Sequence, residues 1–431
     1  MKRIKTIFLL LILGLLVFPS FQNTFTPILS GPLNGVFEST PPPVFSWKTW
    51  MKGEYQILYL KNIEDSVGFK PDFVRLYNQV DFSFFSVPHA ERVVVGKKNV
   101  LFATGYIRGY LGQDFLGEKI IDEKVKMLKS VQDILWKTKK IFLLVLIPPD
   151  KGSFCPEFIP DRFLKMKRHQ TGRDYFTRKA AEYGIHVLDF NPFFQCRKDT
   201  SRYQLIPTTG VHWSDWGSFL AADSAIRYFE LELGIRMPKM VLDSMELSYI
   251  PRHNDNDIGK TMNLIWKIRH PLLAYPKYHI VCDTPCTKPA ALFIGDSFFW
   301  GWYDQGIVQS LFRNTEFWYY DKDVFPESFT SPKNTASINL RQAVERQNLV
   351  ILFQVGAGGG NPGSTFIERA YAEFDTTPQN KIRQIEQNMR NDPRWLETQK
   401  KKAKDLNRPL DQVLRDDAIT LFNDELFRKK N

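Results

Sequence analysis

The chain has 431 residues, enough for one large domain with appendages or for two or three smaller ones. Its 43% hydrophobic and 14% aromatic content can fill a sizeable core and excludes wholesale disorder. The formal net charge of +11 does not make it a nucleic-acid binder, because the excess gathers at the N-terminus and around Lys400–Lys402 without a basic stripe interleaved with aromatic residues. An acidic polymer or a negative membrane surface suits that charge as well.

Lys2, Arg3 and Lys5 precede an unbroken apolar run from Ile7 to Phe18, the pattern of an export signal. The run is 12 residues long, against the roughly 20 a helix needs to cross a bilayer. Residues 1–22 are therefore expected to be a signal peptide or membrane anchor, and the body to be exported to the periplasm or cell envelope. Residues 23–50 read as a linker, stiffened by Pro41–Pro43. Partly helical spacing follows to about Phe85, and Val93–Phe102 predicts two short strands around a Gly-Lys-Lys-Asn turn.

From there helix and strand alternate. Val125, Leu128, Val131 and Leu135 recur at helical spacing within 120–137, and Ile141–Ile147 is a continuous apolar run of the kind buried on both faces of a parallel sheet. Residues 176–183 read as helix, Ile185–Asp189 as strand and 216–233 as helix; Ala291–Ile294 and Leu349–Val355 read as further strands. The alternation predicts a doubly wound α/β domain, with ligands at the C-terminal ends of its strands. Residues 51–363 are assigned to this domain and 364–431 to a helical C-terminal appendage.

Cys282 and Cys286 close a short loop around Pro285, and no further ligands nearby suggest zinc. Two disulfides are expected, Cys282–Cys286 and Cys155–Cys196, with four buried free thiols as the alternative.

Chemistry concentrates in two segments. The apolar strand Ala291–Ile294 ends abruptly in Gly295-Asp296-Ser297, which lifts one serine hydroxyl off a strand end. A serine needs a base within hydrogen-bond reach. His212 is the candidate, in a loop after Pro207-Thr208-Thr209-Gly210 and just before a helix start at Ser214-Asp215. Trp213, Trp300, Trp302 and Tyr303 suit a sugar-stacking rim, or else are core, and Gln354 at the last strand's end is a candidate polar contact. The glycine-rich run 356–363 lacks a P-loop's Lys-Ser/Thr and reads as a flexible loop beside the pocket.

These segments resemble the periplasmic alginate O-acetyltransferases of the AlgJ and AlgX type over roughly residues 50–360. Val95–Phe102, Ile147–Lys151, Cys155–Pro160 and Asn256-Asp257-Ile258-Gly259 carry the resemblance further, as does the position of Gly-Asp-Ser after the histidine. It implies a three-layer α/β/α SGNH-hydrolase fold, with Ser297 as nucleophile, His212 as base and the Ser297 N–H in an oxyanion hole. It also implies that Tyr303 contacts the sugar or the oxyanion. The family's orienting aspartate stands two residues before the histidine, where this chain has Gly210; the position three before is Thr209. Asp215 is the nearest substitute, with Asp189, Asp199 or a backbone carbonyl as others. The expected function is O-acetyl transfer to, or removal from, a cell-surface or secreted polysaccharide. No metal or organic cofactor is needed, and a membrane O-acyltransferase partner would present the acetyl donor. The alternative is a non-catalytic scaffold that binds polysaccharide or assembles an export complex.

Overall fold

The computed structural model describes residues 2–25, 31–35, 40–282, 285–358 and 360–428. Among the described residues ten strands appear in chain order: β1 (Val93–Val95), β2 (Leu101–Ala103), β3 (Phe142–Ile147), β4 (Val187–Asp189), β5 (Lys239–Ser248), β6 (Leu273–Val281), β7 (Ala290–Gly295), β8 (Arg313–Tyr319), β9 (Asp323–Phe325) and β10 (Leu349–Phe353). Six form one sheet in the order β4-β3-β10-β7-β8-β9, parallel except for the edge strand β9. Two antiparallel hairpins, β1–β2 and β5–β6, stand apart from it.

Pleating divides the central strands into two apolar faces. Leu144, Leu146, Phe293, Ile351 and Phe353 pack toward the helices Phe190–Arg197, Asp215–Leu233 and Phe299–Asp304. Leu143, Val145, Leu292, Ile294, Val350 and Leu352 pack toward Glu118–Lys139, Gly172–Glu182 and Phe366–Phe374. Strands buried on both faces read as unbroken apolar runs, which is why β3, β7 and β10 were recognisable in the sequence. The result is the expected three-layer α/β/α domain with a helical C-terminal region.

The boundary expected at 364 falls before the helix Phe366–Phe374, whose Phe366, Ile367, Ala370 and Phe374 are buried in the outer layer of the sheet. The separate bundle comprises Pro378–Asn391, Pro393–Asp405 and Leu410–Arg428 around Met389, Leu414 and Ala418. At the other end Lys2–Phe25 is a helix, and Trp47–Met51 forms a short helix at the end of the expected linker. Among the described residues, no helix is long and apolar enough to cross a membrane.

Cys282 and Cys286 form a disulfide. The expected Cys155–Cys196 bridge is corrected: both thiols are free. Cys155 is buried in the core, where burial pushes its thiol up to about 11, whereas Cys196 faces solvent.

Candidate active site

Ser297 is set by the way β7 ends. At Gly295 the neighbouring strand comes so close that a Cβ would lie 1.7 Å from the Phe353 carbonyl oxygen, so only glycine fits. The Asp296 N–H then donates to Phe353 O at 3.0 Å. Its carboxylate accepts from the N–H groups of Phe298 (3.0 Å) and Val355 (2.7 Å). Asp296 thus welds the turn to the end of β10, and burial pushes its carboxyl up to about 6. Ser297 is left at the C-terminal edge of the sheet, and its N–H donates to no protein acceptor among the described residues.

His212 arrives on a different kind of support. Lys151 is buried just after β3, and its ammonium donates to three carbonyls of the preceding loop: Pro207 (2.6 Å), Thr208 (2.9 Å) and Gly210 (2.6 Å). An ammonium has three donors and no acceptor, so it fixes all three carbonyls at once. Burial lowers its pKa to about 8. Beyond this loop the Nε2 of His212 lies 2.7 Å from Ser297 Oγ, and the Phe298 ring packs against the imidazole with centroids 4.7 Å apart.

The carboxylate on the far side of the imidazole is Asp257. Its Oδ2 accepts from His212 Nδ1, while its Oδ1 accepts from the N–H groups of Val211 (3.0 Å) and Ile258 (2.6 Å). An ionised carboxylate only accepts, so Nδ1 must carry the proton and Nε2 must face the serine as an acceptor. The loop that brings Asp257 also explains Gly210: a Cβ there would lie 2.6 Å from Asn254 O and 3.0 Å from Asp255 O. Gly210 gives up a carboxylate of its own and makes room for the segment that carries one.

Asp215 is corrected as the orienting residue. It lies in the first turn of the Asp215–Leu233 helix, and its carboxylate pairs with His253 Nδ1 at 2.8 Å. Asp189 caps another helix by accepting from Asn191 N. Trp213 is corrected as a sugar platform: it is buried, stacked on the equally buried Trp302 with centroids 5.8 Å apart, and serves as core. Tyr303 packs among Phe299, Trp300 and Phe329. Gln354 lies in a small cleft with Arg173, Gly356 and Asn361.

Three tyrosines lie within the field of Asp296, the residue before the serine, instead. Tyr319 and Tyr320, at the end of β8, interact with the Ser297 side chain, and Tyr106 lies within the field of Asp296, Asp257 and Tyr320. Burial raises all three hydroxyls, with Asp296 adding to it, so they stay protonated and able to donate. Sequence reasoning missed them together with β8, which opens with four polar residues, Arg313–Glu316, and buries only Phe317 and Trp318, so it shows neither an apolar run nor an alternating pattern. It also missed Asp257, although the segment Asn256–Gly259 had stood out by resemblance; only the fold reveals that it meets the histidine.

A doubly wound sheet with a serine on the turn after one strand, and a histidine and an aspartate brought to it by loops, defines an SGNH-hydrolase-like domain. Residues 93–237 match the family described as "SGNH hydrolase-like domain, acetyltransferase AlgX", so the resemblance to that family holds over this segment. The match includes His212; Asp257 and Ser297 lie beyond it. Solved structures similar to the chain include the O-acetyltransferase domain of Pseudomonas putida AlgJ, at 14% identity over 65% of this chain and 99% of that one, with a TM-score of 0.42. Pseudomonas aeruginosa AlgX is similar at 14% identity over 64% of this chain and 66% of that one, just under two thirds of its length, with a TM-score of 0.41. Bacillus cereus PatB1 is similar at 13% identity over 58% of this chain and 93% of that one, with a TM-score of 0.36. No curated protein matches the chain.

Proposed function

We propose that the protein is an exported serine O-acyltransferase that moves acetyl groups onto a polysaccharide. The observation that carries this reading is the continuous hydrogen-bonded chain Asp257–His212–Ser297 at the C-terminal edge of the sheet. In the first half-reaction His212 Nε2 takes the Ser297 proton as Oγ attacks the acetyl carbonyl, and Asp257 stabilises the imidazolium. The free Ser297 N–H would donate to the tetrahedral oxyanion. Collapse expels the donor's alkoxide, which takes the proton from His212, and leaves acetyl-Ser297. In the second half His212 deprotonates a sugar hydroxyl, which attacks that ester and regenerates the serine. Water in place of the sugar would make the same site an esterase.

The AlgX-type match supports acetyl transfer to a polysaccharide as the reaction class, with a membrane O-acyltransferase as the expected source of acetyl groups. The scaffold alternative rested on an absent carboxylate, and that argument lapses with Asp257 on Nδ1. Export is supported by the charged-then-apolar N-terminus and the Cys282–Cys286 disulfide. An apolar groove between the helices Lys2–Phe25 and Lys70–Phe85, lined by Leu10, Phe18, Phe73 and Leu76, supports a position close to a membrane. Turnover of a chromogenic acetyl ester, with and without oligosaccharide acceptors, tests the proposal. Acceptor-stimulated turnover that disappears in Ser297→Ala supports it, and turnover unchanged in Ser297→Ala refutes it.

A further inference from the structure

The loop before the Asp215–Leu233 helix and the loop 252–260 lie side by side and run in opposite directions. Gly259 N donates to Thr209 O at 2.9 Å, Val211 N to Asp257 Oδ1 at 3.0 Å, and His212 Nδ1 to Asp257 Oδ2. Asp215 Oδ2 meets His253 Nδ1 at 2.8 Å. As one segment advances from 209 to 215, the other retreats from 259 to 253. The His212–Asp257 contact sits inside this zipper, and a second aspartate–histidine pair closes its outer end.

We infer that Asp215 and His253 are positioning residues, a clip that holds the loop of Asp257 against the loop of His212 so that the carboxylate stays on Nδ1. The inference rests on the acyl-transfer reading and goes beyond it by giving the second pair a role. Asp215 is anchored in the first turn of its helix, next to the Ser214 cap whose hydroxyl accepts from Gly217 N at 3.0 Å. His253 adopts a left-handed backbone (φ 45°), which a non-glycine residue keeps only where its surroundings hold it. The base of its loop is tied down separately: Arg252 N donates to the Tyr275 hydroxyl (2.9 Å), which donates to Asp255 Oδ2 (2.7 Å). Of the side-chain ties that join this loop to the residues around His212, the clip is the one at the outer end, two residues before Asp255.

The clip is also sensitive to pH. Asp215, Asp304 and Asp255 all face His253, Arg252 precedes it, and Tyr275 supports the loop from β6. The Asp215 hydrogen bond raises the His253 pKa above its ordinary value. The charged pair is therefore complete below about pH 6.5 and weakens as pH rises through the raised value. Weakening of the clip at high pH therefore adds an alkaline limb to the pH–rate profile.

The test is the pH–rate profile of acetyl-ester turnover by the full chain, alongside the low-field proton resonance of His212 Nδ1–H. His253→Ala should lower kcat on the order of 10²-fold, the cost of a small misplacement of a reacting group, and should broaden or remove that resonance. His253→Asn keeps an N–H donor near the Nδ1 position and tolerates the left-handed backbone. It should restore most of kcat while flattening the alkaline limb. An active wild type with an unchanged kcat and profile in His253→Ala would overturn the inference. If His253→Ala does not fold, an alkaline limb that persists in His253→Asn overturns it. An inactive wild type would instead sink the acyl-transfer reading, and the clip would then be judged by the resonance alone, with its persistence in His253→Ala as the contrary result.

Discussion

The two halves of the candidate site are built in different ways. Ser297 stands on a buried strand end, where Gly295 lets β7 and β10 touch and the Asp296 carboxylate joins their ends. His212 and Asp257 stand on loops away from the central sheet, and polar contacts hold them: a buried lysine under one loop and a ladder of hydrogen bonds between the two. A hydrophobic support tolerates changes in its surroundings as long as the core packs. A polar support loses its geometry when one donor or acceptor goes, because buried polar groups are costly to leave unpaired. The nucleophile half should therefore be robust and the base half fragile.

The largest expected effect at the fragile half is at Asp257. Asp257→Asn keeps the shape but lets the amide donate toward Nδ1, which favours the wrong tautomer; in serine proteases that change costs on the order of 10⁴ in kcat. Steady-state kinetics should show that loss with the fold intact, whereas Asp215→Asn should cost far less. Equal losses in the two variants would mean that the contacts around His212 are misassigned. Next comes Gly210→Asp, which places a Cβ 2.6 Å from Asn254 O and displaces the loop that carries Asp257. It should lower kcat on the order of 10²-fold; a gain would mean that a carboxylate at 210 can serve the histidine directly.

The smallest effect is on stability and is read by chemical denaturation against pH. Burial pushes the Asp255 carboxyl up to about 7, and its Oδ1 has no hydrogen-bond partner among the described residues. A carboxyl with a raised native pKa binds more protons in the folded state than in the unfolded state, so stability falls as pH rises from about 4 to 7. Asp255→Asn should remove that fall and be more stable than wild type at pH 8, by roughly 1–4 kcal/mol. No difference between the two proteins at pH 8 would show that Asp255 ionises freely.

The same division explains what was legible in the sequence. β3, β7 and β10 announce themselves as apolar runs, and Gly-Asp-Ser marks where one of them stops, so the sheet and the nucleophile could be read directly. The loop position of His212, ahead of a capped helix, was readable for the same local reason. Asp257 was not, because it lies 45 residues from His212 and is brought there by the β5–β6 hairpin and the loop within it. Asp215 looked suitable because it is close in sequence; on the first turn of a helix its carboxylate faces His253 instead. Trp213 looked like a sugar platform because a sequence does not say which face of a loop is buried.

The account is tested most directly by trapping the covalent intermediate. Wild-type protein quenched in acid after mixing with an activated acetyl ester should carry one acetyl group, and peptide mass analysis should locate it on Ser297. Ser297→Ala should carry none, and Asp257→Asn should acquire it far more slowly. Acetylation elsewhere in the wild type, no acetylation at all, or equal labelling of the Ser297→Ala protein would contradict a serine nucleophile at the end of β7.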